Sequence, residues 1–109
     1  LTCGDFNNDG WTDLYVACMY SKSGNRVIGN LRDDAYAPDV MAKLRRMVAG
    51  NQLYENRGDL TFTRRGPEFD VSGVGWAYGP AMLDLNNDGW LDLYATAGFI
   101  SRDRSKPDG

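Results

Sequence analysis

The sequence predicts an all-β fold made of four-stranded antiparallel sheets, with one short helix inserted between two strands. Three observations support this prediction: an acidic segment that occurs twice, short strand-like runs around it, and one segment with helical periodicity. The chain has 109 residues, enough for one small domain or for part of a larger one. The repeated acidic segment is the most informative of the three, because a repeated segment defines the structural unit of the fold.

The acidic segment reads "DFNNDGWTDLYVA" from Asp5 and "DLNNDGWLDLYAT" from Asp84. The two copies start 79 positions apart and share nine of thirteen residues. The shared letters are mainly acidic, amide and glycine residues, which the packing of a core does not require. The copies therefore indicate two equivalent units with a common polar site.

Strand-like runs surround both copies and alternate with turn residues. They cover residues 14–19, 52–56, 61–64, 76–83 and 93–97. Gly79 and Pro80 predict a bulge or an edge position within the fourth run. One unit thus contains strand, acidic loop, strand, insertion, strand, turn and strand, and four short antiparallel strands per repeat make a β-propeller blade. We expect residues 1–75 to supply the later strands of one blade, with the helical insertion at about 20–50, and residues 76–109 to supply the first half of the next.

The insertion contains the one segment with helical periodicity. Its apolar residues recur at three- and four-residue steps: Val40, Met41, Leu44, Met47 and Val48. Asp39 is the predicted N-cap, and Gly50 the predicted left-handed residue at the C-terminus. The helix either caps a blade end, burying Val40, Leu44 and Met47 on the sheet, or belongs to an insertion that forms a ligand surface.

The residue types and spacing of the acidic loop match a cation site with oxygen ligands only. Positions 1, 3, 5 and 9 carry side-chain oxygens, position 6 is glycine, and the carbonyl of position 7 points inward. The predicted ligands are Asp5, Asn7, Asp9, the Trp11 carbonyl and Asp13 in the first loop, and Asp84, Asn86, Asp88, the Trp90 carbonyl and Asp92 in the second. Several carboxylates in a flexible shell favour Ca²⁺ over Mg²⁺, so two calcium sites are predicted. The alternative is a hairpin rich in Asp and Asn that only favours turns.

An EF-hand is excluded by the residues around the loops. Such a loop needs a bidentate Glu at position 12 and a helix on each side. Position 12 is Val16 in the first copy and Ala95 in the second, and the flanking residues are typical of strands. A nine-residue loop between two strands remains.

Three segments of the chain resemble a known family. The segments "GDFNNDGWTDLYVA", "NQLYENRGDLTFT" and "GWAYGPAMLDLNNDGWLDLYATAG" are similar to FG-GAP/VCBS repeats, the blades of integrin-like β-propellers, in the branch often joined to an ASPIC/UnbV domain as in cartilage acidic protein. The resemblance implies calcium at the ten positions above and a secreted, periplasmic or cell-surface setting. The chain departs from the family in its insertion from Tyr20 to Gly50 and in Leu60, where such repeats usually carry Gly.

The function predicted from these features is a calcium-binding propeller repeat that acts as an extracellular interaction or adhesion scaffold for a protein or glycan ligand. The alternatives are a carbohydrate-binding propeller that stacks sugars on Trp11, Trp76, Trp90 or the tyrosines, and a propeller-based polysaccharide-active enzyme. We expect no enzyme, because metal ligation already accounts for the well-placed carboxylates. The sequence contains no histidine for acid–base chemistry. Its net charge of −3 argues against nucleic-acid binding. No apolar run is long enough to span a membrane.

The ends of the chain and its two cysteines lead to further expectations. Because the sequence starts with Leu1, almost inside a motif, we expect a piece of a longer protein whose remaining blades are its partners. Cys3 and Cys18 flank the first loop, either as a disulfide or, as we favour, as two thiols. In a meander, the acidic loops and the Arg57–Asp59 turn share one end of the blades, and the insertion lies at the other.

Overall fold

The computed structural model describes residues 1–18, 22–32 and 34–98. Strands dominate the described part, and two helices stand between the second and third strands. In chain order the elements are β1 (Thr2–Gly4), β2 (Asp13–Val16), α1 (Lys22–Gly29), α2 (Pro38–Met47), β3 (Gln52–Asn56), β4 (Phe62–Arg64), β5 (Ala77–Leu83) and β6 (Asp92–Ala97).

The strands form two antiparallel sheets. Strands β1 to β4 make a four-stranded sheet in the order β1-β2-β3-β4, and β5 pairs with β6 in a two-stranded sheet. This arrangement confirms the predicted fold class, a mostly β chain consistent with a fragment of propeller blades. The assignment of residues 1–75 and 76–109 to successive blades stays a prediction, and residues 99–109 lie outside the described part.

The strand bounds follow the predicted runs closely. Strand β3 has the predicted bounds, and β5 begins one residue later than predicted. Strand β2 ends at Val16, and Met19, at the end of its predicted run, lies outside the described residues. The pairing of β5 with β6 shifts register between Tyr78 and Ala81, and Gly79 has a φ of 53°, which confirms the predicted bulge.

The two sheets approach each other through β1 and β5. The Met82 amide of β5 donates a hydrogen bond to Thr2 Oγ1 at 3.3 Å. A Cβ added to Gly4 would lie 2.6 Å from Leu91 Cδ1 and 3.1 Å from Met82 Cβ. Glycine at position 4 therefore permits a close approach of the sheets, since a methyl group there would require the Leu91 side chain to move and Met82 to shift.

The core of the first sheet is centred on Tyr15. This residue is fully buried and pairs across the strands with Leu53, which is also buried. The Tyr15 hydroxyl donates to the Val71 carbonyl at 2.9 Å, which fixes the connection after β4 against the sheet. Burial raises the pKa of Tyr15 above its ordinary value of about 10.

A buried amide side chain joins three segments at the end of the sheet opposite the acidic loops. Asn51 is fully buried, and its Oδ1 accepts the Cys18 amide at 2.7 Å. Its own backbone amide donates to the Ser72 carbonyl at 3.0 Å. Asn51 thus ties the end of β2, the start of β3 and the connection after β4 together, where the insertion leaves and rejoins the sheet.

The predicted helix is present as α2, with different ends. Proline occupies its first turn, where its missing N–H costs nothing, so the N-cap is Ala37 and not Asp39, which lies inside the first turn. The C-cap is Val48. Gly50 has the expected positive φ, 85°, but it follows the cap by two residues.

The insertion also contains a helix that the sequence did not indicate. Helix α1 holds Gly24 inside its span, and glycine is a poor helix former. The two helices contact each other. In α2 the buried residue is Met41, whereas Val40 is exposed and Met47 is 80% exposed. The alternative in which Val40, Leu44 and Met47 are buried on the sheet is therefore contradicted at Val40 and Met47, whereas Leu44 is partly buried. Part of the apolar stripe is left uncovered by the described residues.

Two further expectations concern the cysteines and the membrane. Cys3 and Cys18 are both free thiols, so the preferred alternative is confirmed. Cys3 is exposed and Cys18 is partly buried. No helix in the described ranges is long and apolar enough to cross a membrane.

The substitution Tyr15→Phe tests the role of the buried hydroxyl. The variant removes the hydrogen bond from a buried hydroxyl to the part-buried Val71 carbonyl, so we expect a loss of about 1 kcal/mol in the free energy of unfolding of the intact protein. Denaturant unfolding at pH 7 measures this loss. Tyr78→Phe is the matched control, since Tyr78 is exposed, and its effect should stay within about 0.5 kcal/mol.

A second measurement on the same variant uses pH. Because the folded-state pKa of Tyr15 is raised, the neutral phenol contributes stability that is present below pH 10 and is lost as the pH rises through the folded pKa. The wild type should therefore lose more stability than Tyr15→Phe above pH 10. Equal slopes of unfolding free energy against pH for the two proteins would contradict the burial of this phenol.

Candidate metal centre

The first acidic loop is organised by the carboxylate of Asp5. Its Oδ1 accepts the Asp9 amide at 3.0 Å, and its Oδ2 accepts the Gly10 amide at 2.8 Å. Between these donors the chain reverses through Asn8 and Gly10, whose φ angles are 56° and 88°. Asparagine and glycine tolerate this left-handed region, so the loop conformation follows directly from its residues.

The second loop has the same conformation, 79 positions later. Asp84 Oδ1 accepts the Asp88 amide at 3.1 Å, and Asp84 Oδ2 accepts the Gly89 amide at 2.8 Å. The φ angles of Asn87 and Gly89 are 60° and 87°. Two segments with different neighbours thus reach the same structure, which shows that the repeated residues are sufficient to specify the loop.

The amide and carboxylate at positions 3 and 5 also interact within each loop. In the first loop, Asp9 Oδ1 accepts the Trp11 amide and Asp9 Oδ2 accepts Asn7 Nδ2, both at 2.8 Å. In the second loop, the matching distances from Asp88 to the Trp90 amide and to Asn86 Nδ2 are both 2.9 Å. Hydrogen bonds therefore connect positions 1, 3 and 5 in one network within each loop.

The carboxylate at position 9 is placed differently in the two loops. Asp13 is fully buried and accepts the Phe6 amide at 3.0 Å and the Asn56 amide at 2.8 Å. Asp92 accepts the corresponding Leu85 amide at 2.9 Å. Strand β3 supplies the second donor to Asp13, whereas among residues 1–18, 22–32 and 34–98 β6 pairs with β5 alone.

The environment of Asp13 raises its pKa. Burial is the main cause, and repulsion from Asp9 and Asp5 adds to it, while the hydrogen bonds from Asn56 and Phe6 act in the opposite direction. No Lys or Arg side chain in the described ranges forms an ion pair with any of these three carboxylates. The first loop therefore concentrates negative charge that no Lys or Arg of the described segments neutralises through an ion pair.

The predicted ligands fit a hard cation by their donor chemistry. Every predicted donor is a carboxylate, amide or carbonyl oxygen, which is the ligand set of Ca²⁺. Within residues 1–18, 22–32 and 34–98, no group of three or more Asp, Glu, Cys or His side chains has the spacing of a metal site. The carboxylate oxygens instead accept backbone amides. The structure brings positions 1, 3 and 5 together in each loop, and the ion itself stays a prediction.

Two contacts around the first loop were not predicted from the sequence. Asn56 Nδ2 donates to the Thr12 carbonyl at 3.0 Å, so the turn after β3 is fastened to the acidic loop. Asn8 Nδ2 donates to the Gly89 carbonyl at 3.1 Å, so the two loops touch. The only signal for the second contact was the asparagine at position 4 of both copies.

Comparison with known proteins identifies the repeat. The family model of the FG-GAP-like repeat matches residues 5–95. The chain belongs to this family. The match starts at the first acidic residue of loop one and runs through the second loop into β6, so it includes both acidic loops and parts of both sheets. Neither the curated proteins nor the solved structures contain a match to the chain.

In this FG-GAP-like repeat, the turn between β3 and β4 packs under the tryptophan of the first loop. A Cβ added to Gly58 would lie 2.6 Å from Trp11 Cε2. The adjacent Asp59 accepts the Thr61 hydroxyl and also its amide, the latter at 3.0 Å, and these bonds lower the pKa of Asp59. The acidic loop and the Arg57–Asp59 turn therefore share one end of the sheet, as predicted, and this tripeptide forms an internally bonded hairpin turn.

The substitution Gly58→Ala tests the packing of Trp11 on the turn. Gly58 has a φ of 75°, and its new methyl group would overlap the indole, so we expect a loss of about 2 kcal/mol or more in unfolding free energy. Thermal or denaturant unfolding of the intact protein measures it. Gly75→Ala is the control, since Gly75 has a similar φ of 80° and no atom beyond its chain neighbours lies within 4 Å of its new methyl group. Similar losses for both variants would show that Trp11 does not constrain the turn.

Proposed function

We propose that this chain is part of a calcium-binding β-propeller that serves as an interaction or adhesion scaffold outside the cell. One calcium ion is assigned to each acidic loop. The observation that carries the proposal is the set of three carboxylates in the first loop, one of them fully buried, with no ion pair to a Lys or Arg in the described ranges.

Electrostatics explains why a cation fits this loop. Carboxylates that lie close together in one loop repel one another, and the repulsion grows where burial reduces the screening by water. Asp13 experiences both effects, from its burial and from Asp9 and Asp5. A bound Ca²⁺ would neutralise this charge and join the two ends of the loop. The chain's own part is to hold Asp5, Asn7 and Asp9 on one network before any ion arrives.

The second loop supports the same assignment with its own residues. Asp84, Asn86 and Asp88 repeat the hydrogen bonds of the first loop within a few tenths of an ångström. The Trp90 carbonyl and Asp92 complete the predicted ligand set. An extracellular module with such sites would bind calcium weakly, with a dissociation constant of about 10⁻⁴ to 10⁻³ M, which suits the millimolar calcium outside cells.

We assign a scaffold function and not an enzyme. The carboxylates of both loops are occupied by backbone amides, and the sequence has no histidine for proton transfer. The second candidate is a carbohydrate-binding propeller. It is favoured by Trp11 and Trp90, which are 51% and 54% exposed beside the loops and offer ring faces on which a sugar could stack.

Calcium titration of the intact protein tests the metal assignment. We expect the heat of binding and a rise in melting temperature, with about 2.7 kcal/mol of stabilisation per site at calcium 100-fold above the dissociation constant. Asp9→Ala and Asp88→Ala should each remove one site, because each deletes the carboxylate that links positions 3 and 7. Asp39→Ala removes the same charge from α2 and should leave both sites intact. A wild type with no calcium heat and no shift in melting temperature would refute the assignment.

Deletion of the insertion tests which end of the blade binds the ligand. The insertion lies opposite the acidic loops and exposes Val27 and Met47. Replacing residues 22–49 with a short Gly/Ser linker should abolish binding of a protein or glycan ligand and leave calcium affinity unchanged. Ligand binding by the intact protein, scored on a glycan array and by protein capture, measures the effect.

The outcome also separates the two candidate functions. Full retention of ligand binding by the deletion variant would show that the insertion only covers the blade end. Retained glycan binding that is lost in Trp90→Ala would instead favour the carbohydrate-binding propeller, with its site at the acidic loops.

A further inference from the structure

A single side chain connects the two acidic loops. Asn8 stands at position 4 of the first loop, and its Nδ2 donates to the carbonyl oxygen of Gly89 at position 6 of the second loop, at 3.1 Å. The two residues are 81 positions apart, so the contact exists only because β1 and β5 place the loops side by side. It is a tertiary contact between two repeat units, and each of its residues also forms part of the reversal in its own loop.

The contact fixes a particular peptide group. The peptide that joins Gly89 to Trp90 is held at both ends: its carbonyl oxygen accepts from Asn8, and its N–H donates to Asp88 Oδ1 at 2.9 Å. Gly89 has a φ of 87°, in a region that permits glycine many nearby conformations. Two hydrogen bonds therefore restrict this peptide, one from its own loop and one from the first loop.

The restricted peptide lies directly before the predicted carbonyl ligand of the second loop. The orientation of the Gly89–Trp90 peptide limits where the backbone of Trp90, and hence its carbonyl oxygen, can stand. The same peptide also orients Asp88, a predicted carboxylate ligand. Groups that hold metal ligands in place from outside the coordination shell often contribute strongly to affinity.

We propose that Asn8 is a positioning residue of the first loop that acts on the second loop, so that calcium affinity at the second site depends on the first loop. This inference rests on the proposed calcium function. Asn8 itself is not a predicted ligand. Its role is to hold the peptide before Trp90, and thereby to make two neighbouring sites interdependent.

The repeat supplies an internal control for this role. Asn87 occupies position 4 of the second loop with a φ of 60°, close to the 56° of Asn8. Within the described part of the chain, the Asn87 side chain makes no hydrogen bond. The two asparagines therefore share residue type, loop position and backbone conformation, and differ in the contact to the other loop.

The experiment compares Asn8→Gly with Asn87→Gly in the intact protein. Glycine is chosen because it accepts the positive φ at both positions without strain. The protein is labelled with ¹⁵N at glycine and tryptophan, and the Gly10 and Gly89 amide resonances report calcium binding at the first and second loops separately. Each amide donates to the position-1 carboxylate of its own loop, which makes it a local reporter.

Asn8→Gly should shift the Gly89 titration midpoint to about 3- to 10-fold higher calcium, the effect of losing one hydrogen bond. Asn87→Gly should leave the Gly10 midpoint unchanged, because no contact leads from Asn87 to the first loop in the described ranges. The local effect of each variant on its own loop should be equal. Unchanged Gly89 midpoints in Asn8→Gly, or equal cross-effects of both variants, would overturn the proposal.

A measurement without calcium separates this proposal from the calcium assignment. In the metal-free protein, Asn8→Gly should shift the Gly89 and Trp90 amide resonances and speed the hydrogen exchange of the Trp90 amide, whereas Asn87→Gly should not speed that exchange. Failure of this effect would refute the positioning role even if calcium binds both loops. A wild type whose glycine resonances do not respond to calcium would refute the calcium assignment, and with it the effect on affinity, even if the metal-free effect is present.

Discussion

The buried carboxylate of Asp13 is the constraint on which the first unit depends. A carboxylate without hydrogen bonds in the protein interior would cost several kilocalories per mole, so its oxygens must find donors. They accept the amides of Phe6 and Asn56, which belong to the acidic loop and to the end of β3. One side chain thereby fixes the loop, the start of β2 and the register of β3. Because Asn56 follows the whole insertion, this bond joins chain segments on either side of the two helices.

The two loops separate what is local in this structure from what is tertiary. Both loops adopt the same backbone conformation through the same hydrogen bonds, although one lies in a four-stranded sheet and the other in a two-stranded sheet. Position 9 differs, since Asp13 gains a donor from β3 and the described part of the chain places no such strand beside Asp92. Loop shape thus comes from residues at positions 1 to 6, whereas burial of the last carboxylate requires the neighbouring strand.

The sequence predicted those parts of the structure that depend on short-range chemistry. Strand β3, the bulge at Gly79 and the turn at Gly58 all follow from residue types within a few positions. Helix α1 was missed because Gly24 and Gly29 lower its helical propensity, and the N-cap of α2 was misplaced because Pro38 fits the first turn. The bonds from Asn56 to Thr12 and from Asn8 to Gly89 were also missed, since they join residues 44 and 81 positions apart. Neither hydrophobic periodicity nor the residue types within a loop carry information about such distant pairs.

The missing side chain of Gly4 has a consequence for the loop that follows it. A methyl group at this position would overlap Leu91 Cδ1 and lie 3.1 Å from Met82 Cβ, so glycine permits the close approach of β1 and β5. Gly4 directly precedes Asp5, at the end of the sheet that carries the acidic loops. The short Asn8 side chain reaches the other loop only where the strands lie this close, so one added carbon atom at Gly4 should loosen the contact between the two units.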